Sequence, residues 1–378
     1  MRHFAALALV AILSLGFGPH AGSDPQYLYL WTASADTTKP DYLAVLDVSS
    51  APRLVTTLPV PGHHNGPHHT EYELARDRRL FANGFATGQT FIFDLTEPAA
   101  PRLAGQLGDI EGYRHPHSYI PLWNGNRLAT FQMRHDSTMR TGGLVELTPA
   151  GRVVRSSSAD TPGLDPAERV YSAAIVGSLD RIVTTTTDMD PTRAATREIQ
   201  IWRLSDLKLL HTITLPNGPA GTESQLTAEP RVLSDGRTVL VSTFSCGLYL
   251  LDGLDGDAPS GRLVASFPRR EKWFCAVPVV VGHYYLVTVP AWSAVVSLDI
   301  SDPSKPREVS RATLDTGDVP HWIAVSPDQR RVVVTGYGTL RNRVALLRLD
   351  PKTGQLALDG PLYQVDGGIP HGAVFSRP

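Results

Sequence analysis

Neither sign of charge dominates this chain: 35 Lys and Arg stand against 37 Asp and Glu, for a formal charge of -2. So even a balance leaves no electrostatic footprint for nucleic acid or for an anionic membrane surface. The apolar run Phe4–Phe17 falls short of the ~20 residues a helical bilayer crossing needs. No segment holds a helical period between caps, which argues against a helical architecture. There is no Gly-x-Ser-x-Gly elbow, no His-Glu-x-x-His helix and no glycine-rich phosphate loop, so those routes to hydrolysis and nucleotide binding are missing. Sulfur is scarce too. The chain has two cysteines, Cys246 and Cys275, and four methionines, one of them the initiator.

What the chain does have is turn signals and histidine. The 32 glycines and 30 prolines are scattered at short intervals rather than gathered into a linker, and between them lie short runs of strand-forming residues. His63, His64, His68 and His69 crowd one stretch, HHNGPHHTEYEL. A Pro-His step then returns at Pro116-His117, Pro320-His321 and Pro370-His371. Aligning the strands around these steps gives one repeat position, occupied in turn by His69, His117, Tyr171, Ala228, Cys275, His321 and His371. The successive spacings are 48, 54, 57, 47, 46 and 50 residues. Outer landmarks keep the same period: Asp47–Leu54, Asp94–Leu103 and Asp299–Glu308 each run from an Asp through a proline turn into a new strand.

Units of ~45–55 residues with four strands each are the mark of a β-propeller, and seven fit. The expected fold is therefore an all-β, seven-bladed β-propeller forming one domain over residues 24–378. Tyr27–Trp31 reads as a second strand missing its first, and His371–Ser376 as a first strand missing the rest. The C-terminal strand should thus complete the first blade. Residues 1–23, with Arg2 before an apolar stretch and Ala21-x-Ser23 as cleavage site, read as a secretory signal peptide. The protein is expected to be exported, to the periplasm or beyond.

In a propeller the first strand of each blade lines the central channel, so the seven repeat positions form a ring at one mouth. His69, His117, His321 and His371 then occupy a contiguous arc of blades seven, one, two and three. His64, His68 and His115, from the lead-in loops, stand in reserve. Met133, His135, Asp188, Met189, Cys246 and Trp292 belong to turns on the same face. Imidazoles with thioether or thiolate nearby suit copper, while imidazole with carboxylate or cysteine would also take zinc or iron. Cys275 has two readings: a disulfide with Cys246, as expected of an even count in an exported protein, or a thiolate ligand in the ring. Asp188-Met189-Asp190 could hold a cation, though a solvated loop accounts for it as well. His211 and His283 read as surface residues.

Four segments carry a likeness to a known family: Pro40–Leu74, the Pro116–Ser118 step, the DISDPSKPR turn and the closing IPHGAVF. They resemble the selenium-binding protein family, which includes the methanethiol oxidases. The likeness spans most of the mature chain and is strongest over its first blades. It implies a seven-bladed propeller with a histidine-lined copper site, and His69, His117 and His371 match family histidines. It also implies conversion of methanethiol and oxygen into formaldehyde, hydrogen sulfide and hydrogen peroxide. Thr70-Glu71-Tyr72-Glu73 replaces the family's Ser-Gly-Trp-Asn, and Ile120 stands where a second histidine would follow His117.

Three functions follow. One is a copper-dependent oxidase of a small thiol, with Tyr171 or Glu229 moving protons. Another is a metal- or partner-binding propeller without turnover. The third is a propeller hydrolase or lactonase whose cation, calcium or zinc, sits with Glu229, Asp188 and histidines.

Overall fold

The computed structural model describes residues 26–110, 112–134, 141–163, 169–189, 195–269, 274–275, 277–336 and 342–378. The expected signal peptide lies outside them, as do His135 and Asp190.

Seven four-stranded antiparallel sheets make up the fold, each built from consecutive strands except the first. In the first blade Gly368–Phe375 lies inside Tyr27–Ser34, pairing Leu28 with Phe375 and Tyr29 with Val374. The C-terminal strand therefore closes the ring, as the sequence pattern implied. The other inner strands are Pro67–Thr70, Tyr113–Pro121, Ala173–Val176, Thr227–Val232, Pro278–Val281 and Pro320–Val325, and each contacts the next around the channel.

Burial explains the sequence pattern. Middle strands such as Tyr42–Asp47 and Gln89–Asp94 are buried along their whole centre because a neighbouring blade covers each face. Outermost strands such as Arg102–Leu107 alternate between exposed and part-covered residues, since water reaches one face. Trp31 and Trp322 seal blade junctions: the Trp31 indole donates to Asn83 O at 2.7 Å and the Trp322 indole to Ala373 O at 2.8 Å. Each indole fills the apolar gap and satisfies a carbonyl of the next blade.

The outer landmarks are Asx turns. Asp47, Asp94 and Asp299 accept from the backbone N–H two residues on, at 3.0, 3.0 and 2.9 Å. Arg53, Arg102 and Arg307, which open the following strands, return to the same carboxylates at 3.2, 3.5 and 3.0 Å. The serine or threonine two residues on and these arginines hold all three carboxyls below the usual range, Asp299 at about 2.

Candidate metal centre

The Pro-His steps mark breaks in the inner strands. The pairing register slips between Pro67 and Thr70, between Pro116 and Tyr119, and between Pro320 and Trp322. It slips again where Thr32 and Trp31 face Pro370 and Gly372. Proline has no N–H to give the ladder, so it tolerates such a bulge, and the extra residue is re-aimed. Here that residue is histidine. Gly372 allows the closest approach: a Cβ there would stand 3.0 Å from His68 O and 3.1 Å from Thr70 N. With only a hydrogen at that position, the closing strand reaches His68, and His371 Nδ1 donates to His68 O at 2.5 Å.

Five imidazoles converge. Ring centroids of His69 and His117 lie 4.2 Å apart, His321 and His371 4.9 Å, and His69 and His371 5.8 Å. His68 sits among them, 4.4 Å from His69, 4.2 Å from His371 and 5.0 Å from His117. His68 Nε2 and His117 Nε2 are 3.1 Å apart. One ligand nitrogen each from His68, His69 and His117 lies within 4.8 Å of the others. All five rings are buried, at 0–7 % exposure.

That burial holds the rings neutral. It pushes His68, His69, His117 and His321 well below the ordinary imidazole range, and neighbouring histidines push the same way. His371 is brought down to about 4 by burial, offset in part by its bond to His68 O. Neutral imidazole is the form that ligates a metal.

Other residues of the sequence reading fall elsewhere. Cys275 is not available as a thiolate, because its sulfur is bonded to Cys246 with Cα atoms 4.9 Å apart. That bridge ties the turn of blade five to the lead-in of blade six. His64 is exposed, and among the described residues its ring meets the aromatic ring of His63 alone. His115, at φ 55, turns toward Phe85, where its Nδ1 lies 3.0 Å from the carbonyl. Neither reserve joins the cluster. The Tyr171 ring lies 3.7 Å from that of His117. Glu229 is buried, accepting from Ser172 Oγ at 2.6 Å and Arg231 Nη1 at 2.9 Å. Asp188 lies 3.3 Å from Arg169 Nε.

Sequence reading missed a belt of polar side chains behind the ring. Asn83 Nδ2 donates to His117 O at 3.1 Å, Thr130 to Tyr171 O at 2.7 Å, Thr185 to Ala228 O at 2.6 Å and Thr288 to His321 O at 3.0 Å. Thr335 likewise donates to His371 O. Each donor belongs to one blade and each carbonyl to the next. A signal existed: all five lie 13 or 14 residues after their own blade's ring position.

No protein-family profile matches the chain. It is 32% identical over 107 residues to a methanethiol oxidase from Hyphomicrobium sp, covering 26% of this chain and 24% of that protein. The match thus spans about a quarter of the relative's length. Among solved structures, a hypothetical selenium-binding protein from Sulfolobus tokodaii superposes with a TM-score of 0.78 at 16% identity, over 94% of both chains. A periplasmic gluconolactonase from Pseudomonas aeruginosa gives 0.68 at 16% identity, over 94% of this chain and 99% of that one. A putative 6-phosphogluconolactonase from Bacteroides fragilis gives 0.67 at 12% identity, over 95% and 100%. The likenesses to solved structures are likenesses of fold. With the sequence match, they place the chain as similar to, and divergent from, the selenium-binding proteins and methanethiol oxidases.

Proposed function

We propose that this propeller is an exported copper protein that oxidises a small thiol. The observation that carries the reading is the buried convergence of His68, His69 and His117, with His371 and His321 beside them; the metal-ligating group found among the described residues is made of imidazoles. Two ligands held ~2.0–2.1 Å from one ion at roughly 90–110° stand about 2.8–3.4 Å apart. The 3.1 Å between His68 Nε2 and His117 Nε2 fits that chord. His69 Nε2 is buried with no hydrogen-bond partner among the described residues, as a ligand position would be before its ion arrives.

Neutral imidazoles, with no carboxylate in the ligand group among the described residues, suit copper better than calcium, which takes oxygen ligands. A lactonase reading draws on the fold likeness to gluconolactonases, but the clustered donors do not suit a calcium-dependent one. Bound copper would supply the redox chemistry with oxygen and thiol. The balanced reaction is methanethiol, oxygen and water giving formaldehyde, hydrogen sulfide and hydrogen peroxide. The protein's own part is to hold the histidines neutral, to keep bulk water off the pocket and to shape its wall with Tyr171 and Trp322. The Trp322 ring stands 4.8 Å from that of His69. Tyr171, beside His117, is the group placed to hold or pass a proton there. Glu229 reaches the same wall through Ser172, whose backbone follows Tyr171.

Copper titration with chelator competition tests the reading. Wild type should bind one ion; His69→Ala, His117→Ala and His371→Ala should lose stoichiometric binding while keeping the fold, and His211→Ala should change nothing. Loaded wild type should consume oxygen when given methanethiol. Wild-type copper affinity in His69→Ala and His371→Ala together would sink the shared site and the oxidase with it. Export is checked by finding the mature N-terminus near Asp24 in an extracytoplasmic fraction.

A further inference from the structure

We infer that Ser118 is a positioning residue that sets the tautomer of two ligand histidines at once, an inference that rests on the metal reading above. In a regular strand Ser118 would point away from its neighbour His117. The register slip between Pro116 and Tyr119 breaks that alternation and brings both side chains to the same place. Ser118 is buried, at 1 % exposure, and its N–H is taken by Thr130 Oγ1 at 3.0 Å.

Its hydroxyl meets three groups: His117 Nδ1 at 3.1 Å, Tyr171 O at 3.3 Å and His69 Nδ1 at 3.4 Å. A hydroxyl has one proton and two lone pairs. A carbonyl can only accept, so the contact with Tyr171 O uses the proton. With the proton spent there, both imidazole contacts are bonds that Ser118 accepts, which places a hydrogen on Nδ1 of His69 and of His117. Each ring is thereby left with a bare Nε2 lone pair. His117 Nε2 faces His68 Nε2 at 3.1 Å, and His69 Nε2 is buried with no hydrogen-bond partner among the described residues. His371 is set the same way by a different acceptor, His68 O, which takes its Nδ1 hydrogen. One serine in blade three thus orients ligands from blades two and three, and the carbonyl that anchors it belongs to blade four. Outer hydrogen bonds of this kind typically change metal affinity by about 10–100-fold.

The test has two arms on the full chain. Imidazole nitrogen NMR of metal-free protein should show His69 and His117 as the Nδ1–H tautomer in wild type and in Ser118→Thr, and a mixture in Ser118→Ala. Copper competition should show Ser118→Ala weakened about 10–100-fold, with Ser118→Thr restoring most of the loss. Thermal melting separates either change from misfolding. An Nε2–H tautomer at His69 or His117 in wild type overturns the inference, as does Ser118→Ala with unchanged tautomers. If the tautomers behave as stated but no protein binds copper, the metal reading falls and the tautomer assignment stands.

Discussion

Each histidine of the cluster exchanges its hydration for neighbours that are themselves imidazoles. His371 shows what this does to acid stability. Its folded pKa is about 4, against an ordinary value near 6.5, because burial disfavours the charged ring. Between those values the unfolded chain binds the proton and the native one does not. Stability is therefore fully present above about 6.5, and falls as pH drops toward 4. Each histidine that stays neutral contributes about 1.4 kcal/mol of loss per pH unit in that window. Metal-free wild type should show this in urea midpoints taken from pH 7 to 4.5, and His371→Gln should have a shallower slope by about that amount. Equal slopes would mean that His371 takes up its proton in the native state.

The inner strands do two jobs, pairing with their own blade and presenting a bulged residue to the channel. A bulge leaves backbone groups off the ladder, and buried groups of that kind need partners. The Asn83, Thr130, Thr185, Thr288 and Thr335 belt supplies them from the preceding blade. Thr185 is the cleanest test, being remote from the histidine arc: its hydroxyl donates to Ala228 O at 2.6 Å and lies 3.1 Å from Ser172 N, which donates to it. Thr185→Val keeps the shape and removes both bonds inside a buried junction. It should cost about 1–3 kcal/mol in chemical denaturation without changing copper binding. A variant as stable as wild type would show that the belt only decorates the ring.

Closure of the ring belongs to the whole molecule. Gly368–Phe375 pairs along most of Tyr27–Ser34, and Ser376 is tied in by its N–H to Tyr27 O and by its hydroxyl from Tyr27 N. An open propeller would expose a hydrophobic strand edge, and the closing strand also carries His371. Deleting Ile369–Pro378 should therefore leave a protein that melts many degrees lower or does not fold. A melting temperature within a degree or two of the full chain would show that closure is dispensable. The Cys246–Cys275 bridge is a second fastening, between blades five and six, away from the point where the ends meet.

The repeat was legible because every blade must bury the same apolar centre and turn at the same places. Asp47, Asp94 and Asp299 and the Pro-His steps keep that period in plain sequence, and seven blades with a C-terminal closure follow from it. The same period put His69, His117, His321 and His371 on one arc. It could not say that His68 would enter the cluster while His64 and His115 stayed out. His64 lies in the loop before its strand, while His68 and His115 lie within inner strands whose pairing is irregular, and a repeat specifies strands, not the local backbone path that aims each ring. Nor could it choose between Cys275 as ligand and as half of a bridge, since that turns on whether Cys246 comes within bonding distance. Ser118 is the clearest case. Strand alternation alone points it away from His117, and only the bulge, held by pairing across the blade, brings its hydroxyl to two imidazoles and a carbonyl from three different blades.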